Sequence, residues 1–293
     1  MLGRKKTRPD DEGHEGPDRR FSLLLPVYAG DKADYFTEAF TSAVNLQTLK
    51  PDEVILVQDG PISVELDDAM EDAIENSPVT VLRVLLDENL GLANALTVGL
   101  THCTYDIVAR MDADDIALPN RFEVQIPRLV DGGLDLLGAG LLEFAESTGE
   151  IGARRTPPVG TEAIVQASRF RDPFNHPTVV YRKSAVKNAG GYRDLGLMED
   201  YWLFARMIHK GAVVDNVPDA LVMYRVGDGA YARRGGWSQL RAETALQREF
   251  LRSGFVSRRQ YLRNVAIRGG YRLVPESLRK IAYRRFFTGG DEG

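Results

Sequence analysis

Four short apolar runs, each closed by a polar turn and each followed by a helix-length segment, constrain this chain more than any other feature. They are Phe21-Ser-Leu-Leu-Leu-Pro-Val-Tyr28, Val54-Ile-Leu-Val57, residues 79–86 and residues 105–111. Runs of this length and composition read as buried strands. Between them, residues 35–46 place Phe36, Ala39, Phe40, Ala43 and Val44 at helical spacing. Residues 64–75 read as a helix with a polar face, and residues 90–103 as one rich in alanine and leucine. Strands alternating with helices predict an α/β chain built on a mostly parallel sheet covered on both faces. Later, residues 134–144 read as a buried strand, 119–130 as a helix, 199–210 as a helix stopped by Gly211, and 213–224 as strands. Residues 172–181 read as irregular, then strand-like, and the chain from Trp237 onward as basic, partly amphipathic helices.

In such sheets ligands sit beyond the carboxyl ends of the strands. Pro26-Val27-Tyr28, Asp59-Gly60 and Asp112-Ala113-Asp114-Asp115 all end predicted strands, so they are expected to meet in one cleft. The three carboxylates of Met111-Asp112-Ala113-Asp114-Asp115 repel one another unless something positive binds them. A hard divalent cation, Mg²⁺ or Mn²⁺, suits them and keeps open positions for phosphates. Alternation puts Asp112 and Asp114 on one side. The competing reading is an acidic loop before the next helix.

Other segments carry two readings each. Asp59 before Gly60 is either a turn aspartate or an acceptor for a uracil N–H. In Asp87-Glu88-Asn89-Leu90-Gly91-Leu92-Ala93-Asn94, either Asn89 or Glu88 caps the next helix, or Gly91 and Asn94 let the backbone approach a nucleotide with helix amides near its phosphates. Glu199 and Asp200, in Met198-Glu199-Asp200-Tyr201-Trp202, either complement a helix dipole, with Trp202 in the core, or supply a general base with a raised pKa. His176, in Asn175-His176-Pro177, is either structural or a contact to diphosphate or acceptor. Cys103 is the lone cysteine and reads as a small buried residue. One thiol forms no internal disulfide, which suits a reducing cytoplasm.

Taken together, these segments resemble the family 2 glycosyltransferases, which have the GT-A fold, a Rossmann-like sheet flanked by helices. The resemblance spans residues 21–226. It rests on Leu25-Pro26-Val27-Tyr28, Val57-Gln58-Asp59-Gly60, residues 89–96, Met111-Asp112-Ala113-Asp114-Asp115, Pro119-Asn120-Arg121-Phe122, His176-Pro177-Thr178, Ala189-Gly190-Gly191-Tyr192 and Glu199-Asp200. Tyr224-Arg225-Val226 with Tyr231-Ala-Arg-Arg-Gly-Gly-Trp237 resembles the subgroup that builds bacterial capsular and exopolysaccharide repeats, such as the amylovoran-type transferases. The resemblance implies an inverting transfer from a nucleotide-diphosphate sugar. Pro26, Val27 and Tyr28 would line the nucleoside pocket and Asp59 would read the uracil. Asn89, Gly91, Asn94 and Ala113 would adjoin the donor, Asp112 would contact ribose or metal, and Asp114 would hold the metal. Asp200 would be the base, with Glu199 beside it. His176, Trp202, Arg233 and Arg234 would reach diphosphate or acceptor. Gln58 departs from the family, which often has a second aspartate there.

The resemblance thus divides the chain into a disordered tail over residues 1–20, a GT-A domain over 21–230 and a basic helical extension over 231–293. From Arg233 to Arg285 there are 14 Lys/Arg against three acids, a balance of +11, and since the whole chain carries −5 the remainder carries −16. Such a face suits an anionic partner. With Phe255, Tyr261, Tyr271, Tyr283, Phe286 and Phe287 interleaved, docking at the inner face of the cytoplasmic membrane is expected, as suits the polyprenyl-diphosphate-linked acceptor that the resemblance implies. The alternative packs these aromatics on the catalytic domain. The remaining polarity of residues 1–20 and the lack of about 18 consecutive apolar residues argue against a signal peptide or membrane span. Overall acidity argues against nucleic acid as partner. A sugar nucleotidyltransferase would want a basic phosphate loop where Tyr28-Ala-Gly-Asp31 stands, and a non-catalytic nucleotide-sugar-binding subunit would have no use for Asp112, Asp114 and Asp200.

Overall fold

A strand buried on both faces has to be apolar along its whole length, and β1 (Phe21–Tyr28) buries every residue but its last. It is flanked in parallel by β2 (Glu53–Asp59) and β4 (Ile107–Arg110), with β3 (Thr80–Leu86) parallel beyond β2. The structure is a computed structural model that describes residues 17–227 and 237–270. Arg233, Arg234, Tyr271, Tyr283, Phe286, Phe287 and most of the expected tail lie outside the described residues.

The helices between these strands fall where the apolar spacing predicts them. They are α1 (Ala33–Phe40), continuing as a π-helical turn over Thr41–Asn45, α2 (Val64–Glu75) and α3 (Leu92–His102). Ser63 caps α2 by accepting from Leu66 N–H at 3.3 Å. Leu23, Leu25 and Val27 pack on one face of the sheet with Phe36, Phe40 and Phe122, while Leu24 packs on the other with Leu96 and Leu100. This two-faced burial is what the alternation of strands and helices requires.

The second half of the sheet is mixed. After the two-residue β5 (Ile116–Ala117) and α4 (Arg121–Asp131) come β6 (Leu136–Ala145), β7 (Ile151–Arg155), α5 (Thr161–Ser168), β8 (Val180–Arg182), α6 (Lys183–Asn188), α7 (Glu199–His209) and β9 (Val214–Val226). The strand order is β3-β2-β1-β4-β8-β6-β9-β5, with β7 on β6. Pairing is antiparallel at β4·β8, β8·β6, β6·β7 and β9·β5, and parallel at β6·β9. Residues 213–224, expected as strands, form the single strand β9, which shifts register against β6 around Gly140.

The described part of the C-terminal extension, α8 (Trp237–Arg252) and α9 (Arg258–Asn264) with its π-helical turn Val265–Gly269, lies on the α7 side. Leu246 and Phe250 share one core cluster with Tyr201, Phe204 and Phe255, and Tyr261 packs against it. Of the interleaved aromatics, the described two therefore face inward. No helix among the described residues is long and apolar enough to cross a membrane.

Candidate active site

The strand order reverses between β1 and β4, and a crevice opens there. Leu24 O, on the β4 side of β1, accepts from Met111 N–H at 3.1 Å, just past the end of β4. Alternation puts the Pro26 nitrogen on that same side, where no strand remains to want a donor, so proline costs the sheet nothing. A cavity of about 410 Å³ fills the gap, lined by Pro26, Val27, Tyr28, Asp59, Asn89, Gly91, Asp112, Ala113 and Asp114, along with Asp31. Asn94, expected there, instead donates to Leu90 O at 2.7 Å and is exposed outside the lining. Neither Asn89 nor Glu88 caps α3. Its N-cap is Gly91 at φ 84°, without a side-chain cap.

The carboxylate of Asp59 ties this loop down. Its oxygens accept from Leu90 N–H at 2.7 Å and Gly91 N–H at 2.9 Å. The next residue lets strand and loop approach closely: Gly60 has φ 84°, and a Cβ there would stand 2.5 Å from Asn89 N. Backbone on both sides cannot yield. Gly60→Ala is expected to cost on the order of 3 kcal/mol from strain and overlap combined, read as a lower urea midpoint at unchanged m-value.

The acids of this arm divide by partner. Asp112 is bound in a fork by Arg110, with Nη1 at 2.7 Å from Oδ2 and Nη2 on Oδ1. Arg110 is fully buried, and its Nε finds no partner among the described residues. Asp115 is also buried and accepts from Arg225 N–H at 2.9 Å, while Arg225 Nε donates to Asp114 O at 2.8 Å. The Tyr224-Arg225-Val226 segment thus clamps the acidic loop from β9. Asp114 and Asp31 have no cationic side chain bonded to them among the described residues. Burial, then the neighbouring Asp112 carboxylate, raises Asp114 to about 6. Burial raises Asp31 to about 7, with Asp114 and Asp112 adding to it against the pull of the Tyr28 amide. Asp31 was not anticipated from sequence.

A second cavity, of about 530 Å³, joins the first through Leu92, Asp112, Leu197, Glu199 and Tyr224, which line both. Glu199 and Asp200 occupy the first turn of α7, where the helix dipole favours negative charge. The Asp200 side chain is 26% exposed, and its Oδ2 lies 3.9 Å from His176 Nδ1. His176 Nε2 is 3.0 Å from the Tyr192 hydroxyl. Burial, with Arg110 nearby, holds His176 well below the usual histidine range, so it is neutral. Burial raises Asp200, and raises Glu199 to about 7 with Asp200 contributing. The His176-Pro177-Thr178 turn is pinned to β6 by Thr178 Oγ1, which accepts from Ala139 N–H at 2.8 Å. Leu197, at φ 69°, is the one non-glycine residue in the left-handed region among those described, and it stands at the junction of the two arms.

Residues 22–190, more than half the chain, match the family model described as "Glycosyl transferase family 2". The chain belongs to glycosyltransferase family 2. The amylovoran biosynthesis glycosyltransferase AmsE of Erwinia amylovora is 37% identical over 274 residues, covering 90% of this transferase and 98% of AmsE. The UDP-Gal:alpha-D-GlcNAc-diphosphoundecaprenol beta-1,3-galactosyltransferase of Escherichia coli is 32% identical, covering 91% and 96% of the two chains. The fold is that of the mannosyltransferase PcManGT from Pyrobaculum calidifontis, solved with GDP-Man and Mn²⁺. That match has a TM-score of 0.62 at 17% identity, over 92% of this chain and 78% of that one.

The transferase thus gathers most of the residues expected from sequence into one two-armed cleft, with Asp114 and Asp200 in different arms that meet at Asp112 and Glu199. Trp202 is the exception on α7. The guanidinium groups of Arg193 and Arg206 lie 5.5 and 4.8 Å from its ring centroid, and it lines neither arm. Arg110, Asp31, Asp172 and Arg171 line the cleft without a motif to announce them.

Proposed function

We propose that this transferase moves a sugar from a nucleotide diphosphate, in the first instance UDP, to a hydroxyl of a lipid-linked saccharide during cell-surface polysaccharide assembly, with inversion. The joined arms support this reading. One ends in unpaired carboxylates beside a nucleoside-sized pocket, and the other ends at a carboxylate reachable by an alcohol. The printed activities of the two relatives support the polysaccharide setting and the diphosphate-lipid acceptor.

The donor arm fits a divalent cation. No lysine or arginine lines it, and burial together with the neighbouring carboxylates raises Asp31 to about 7 and Asp114 to about 6, a cost that a bound cation would relieve. Among the described residues no three His, Cys, Asp or Glu side chains stand close enough to hold an ion unaided. Asp114 with Asp31 would therefore hold Mg²⁺ or Mn²⁺ together with the donor phosphates, as suits a metal that keeps open positions. Asp112, balanced by Arg110, is left to the ribose. When bound, the ion supplies Lewis-acid stabilisation of the leaving diphosphate.

The protein's own residues do the rest. Asp59 fixes the loop under the base, and one of its remaining lone pairs meets the uracil N–H. Asp200 accepts the acceptor hydroxyl proton while that oxygen bonds to the anomeric carbon and the bond to the diphosphate oxygen breaks. A single displacement from the opposite face inverts the centre. Exposed Arg258, Arg259 and Arg263 beside Leu262 and Ile267 support contact with the anionic cytoplasmic leaflet.

The deciding experiment is a panel of UDP-, GDP- and dTDP-sugars with purified protein, Mg²⁺ or Mn²⁺, and a lipid-linked acceptor extract. Acceptor-dependent release of one nucleoside diphosphate is expected. No release from any donor would end this reading.

A further inference from the structure

The acceptor arm carries charge that proton transfer at Asp200 does not use. Whereas no basic side chain lines the donor arm, Arg155, Arg171 and Arg268 join Arg110 around the acceptor arm. Arg110 is committed to Asp112, and Arg155 to Glu143. The other two differ. Arg171, on the loop after α5, forms no ion pair with any described residue, and it lines the cavity. Arg268 comes from the far end of the described chain, on the π-helical turn after α9.

Arg268 is held by one edge. Its Nε and Nη2 stand 2.7 and 3.0 Å from the carboxylate of Glu243, which is 1% exposed. Its guanidinium also lies 6.0 and 5.8 Å from the rings of Phe170 and Tyr201. Behind it, Gln247 donates to Glu243 at 3.2 Å, and Asn264 donates to Gln247 at 2.9 Å and to Arg169 O at 2.8 Å. A buried polar seam is about neutral for stability compared with apolar packing, but it fixes orientation. Here it fixes a guanidinium whose Nη1 edge donates to no described residue. Asp172 lies close by. Burial, then Asp200, pushes its carboxyl well above the usual carboxylate range, against the pull of the Phe174 amide and Arg268.

We propose that Arg171 and Arg268 form an anion subsite for the phosphate that joins the acceptor sugar to its carrier lipid. The subsite rests on the transfer reading above, in which the acceptor occupies this arm. It makes the C-terminal extension part of acceptor recognition. An arginine gripped along one edge presents the other to a phosphate.

The test is calorimetry on the full chain, with saturating UDP and Mg²⁺ in the donor arm and farnesyl diphosphate or farnesol as probe. Wild type is expected to bind the diphosphate at least about ten-fold more tightly than the alcohol. Arg171→Gln and Arg268→Gln should each weaken the diphosphate about ten-fold and leave farnesol and UDP unchanged. Arg171→Gln breaks no ion pair, so it decides the question even if Arg268→Gln unfolds through loss of its ion pair with Glu243. Equal affinity for the two probes, unchanged diphosphate affinity in Arg171→Gln, or displacement of UDP by farnesyl diphosphate would overturn the subsite. Failure of wild type to bind UDP at all would instead overturn the transfer reading.

Discussion

Asp200→Asn is expected to lower kcat by about 10³-fold or more, within the range for loss of a general base, while UDP binds as before. The substitution keeps shape and removes the acceptor for the proton. The pH profile separates this role from a structural one. Burial lifts Asp200 above the ordinary carboxylate range. Its protonated form is inactive, so kcat/KM of the wild type should fall as pH drops through that raised pKa, and the residual activity of Asp200→Asn should lack the limb. Normal turnover by the variant would remove the base assignment. A collapse of UDP affinity would show that Asp200 supports the donor arm instead.

Asp114→Asn should abolish metal-dependent UDP binding, a loss of about 10²-fold or more if one charged contact of a shared ion is lost. Calorimetry with and without Mn²⁺ reads it directly, and equal affinity in variant and wild type would contradict the metal role. The same pair of acids gives a pH signature. Asp31 and Asp114, at about 7 and about 6, sit above their ordinary value of 3.8. The metal-free fold therefore binds more protons than the unfolded chain, and their contribution is full below pH 3.8 and is lost as pH rises through 6 to 7. A cation that binds only the ionised pair reverses that trend, so thermal stabilisation by Mn²⁺ with UDP should grow from pH 5.5 to 8. A stabilisation flat across that interval would count against both carboxylates as ligands.

What the sequence makes legible follows from how local each feature is. The strands β1 to β4 and the helix α2 lie where apolar periodicity puts them, because a buried strand cannot avoid displaying its apolar run. Asp112 and Asp114 do share a cavity, but through a turn at Ala113 and Asp114 and not through the alternation of an extended segment, since Ala113 lines the same cavity. The Asn94 and Trp202 assignments fail for tertiary reasons. Helix phase turns Asn94 outward onto Leu90 O, and Trp202 packs with Arg193 and Arg206. Asp31 is an ordinary turn aspartate until folding sets it opposite Asp114. The basic run after Trp237 conceals Leu246 and Phe250, whose spacing of four puts both on the buried stripe of α8. Charge counts do not show that stripe, so the aromatics Phe255 and Tyr261 read as surface when the first is core and the second packs against it.

The order in which the chain builds its two arms has an evolutionary corollary. The ends of β1 and β2 and the loop after β4, laid down first, line the arm proposed for the nucleotide, whereas Gln239 and Arg268, contributed last, line the arm proposed for the acceptor. The buried stripe of α8 shares a core with Leu24, Ile55 and Val57, so only the outward and cleft-facing positions of the late helices can drift without disturbing the early scaffold. A lineage of such enzymes is thereby free to acquire new glycan partners while keeping one activated sugar, or to exchange the sugar and keep the partner.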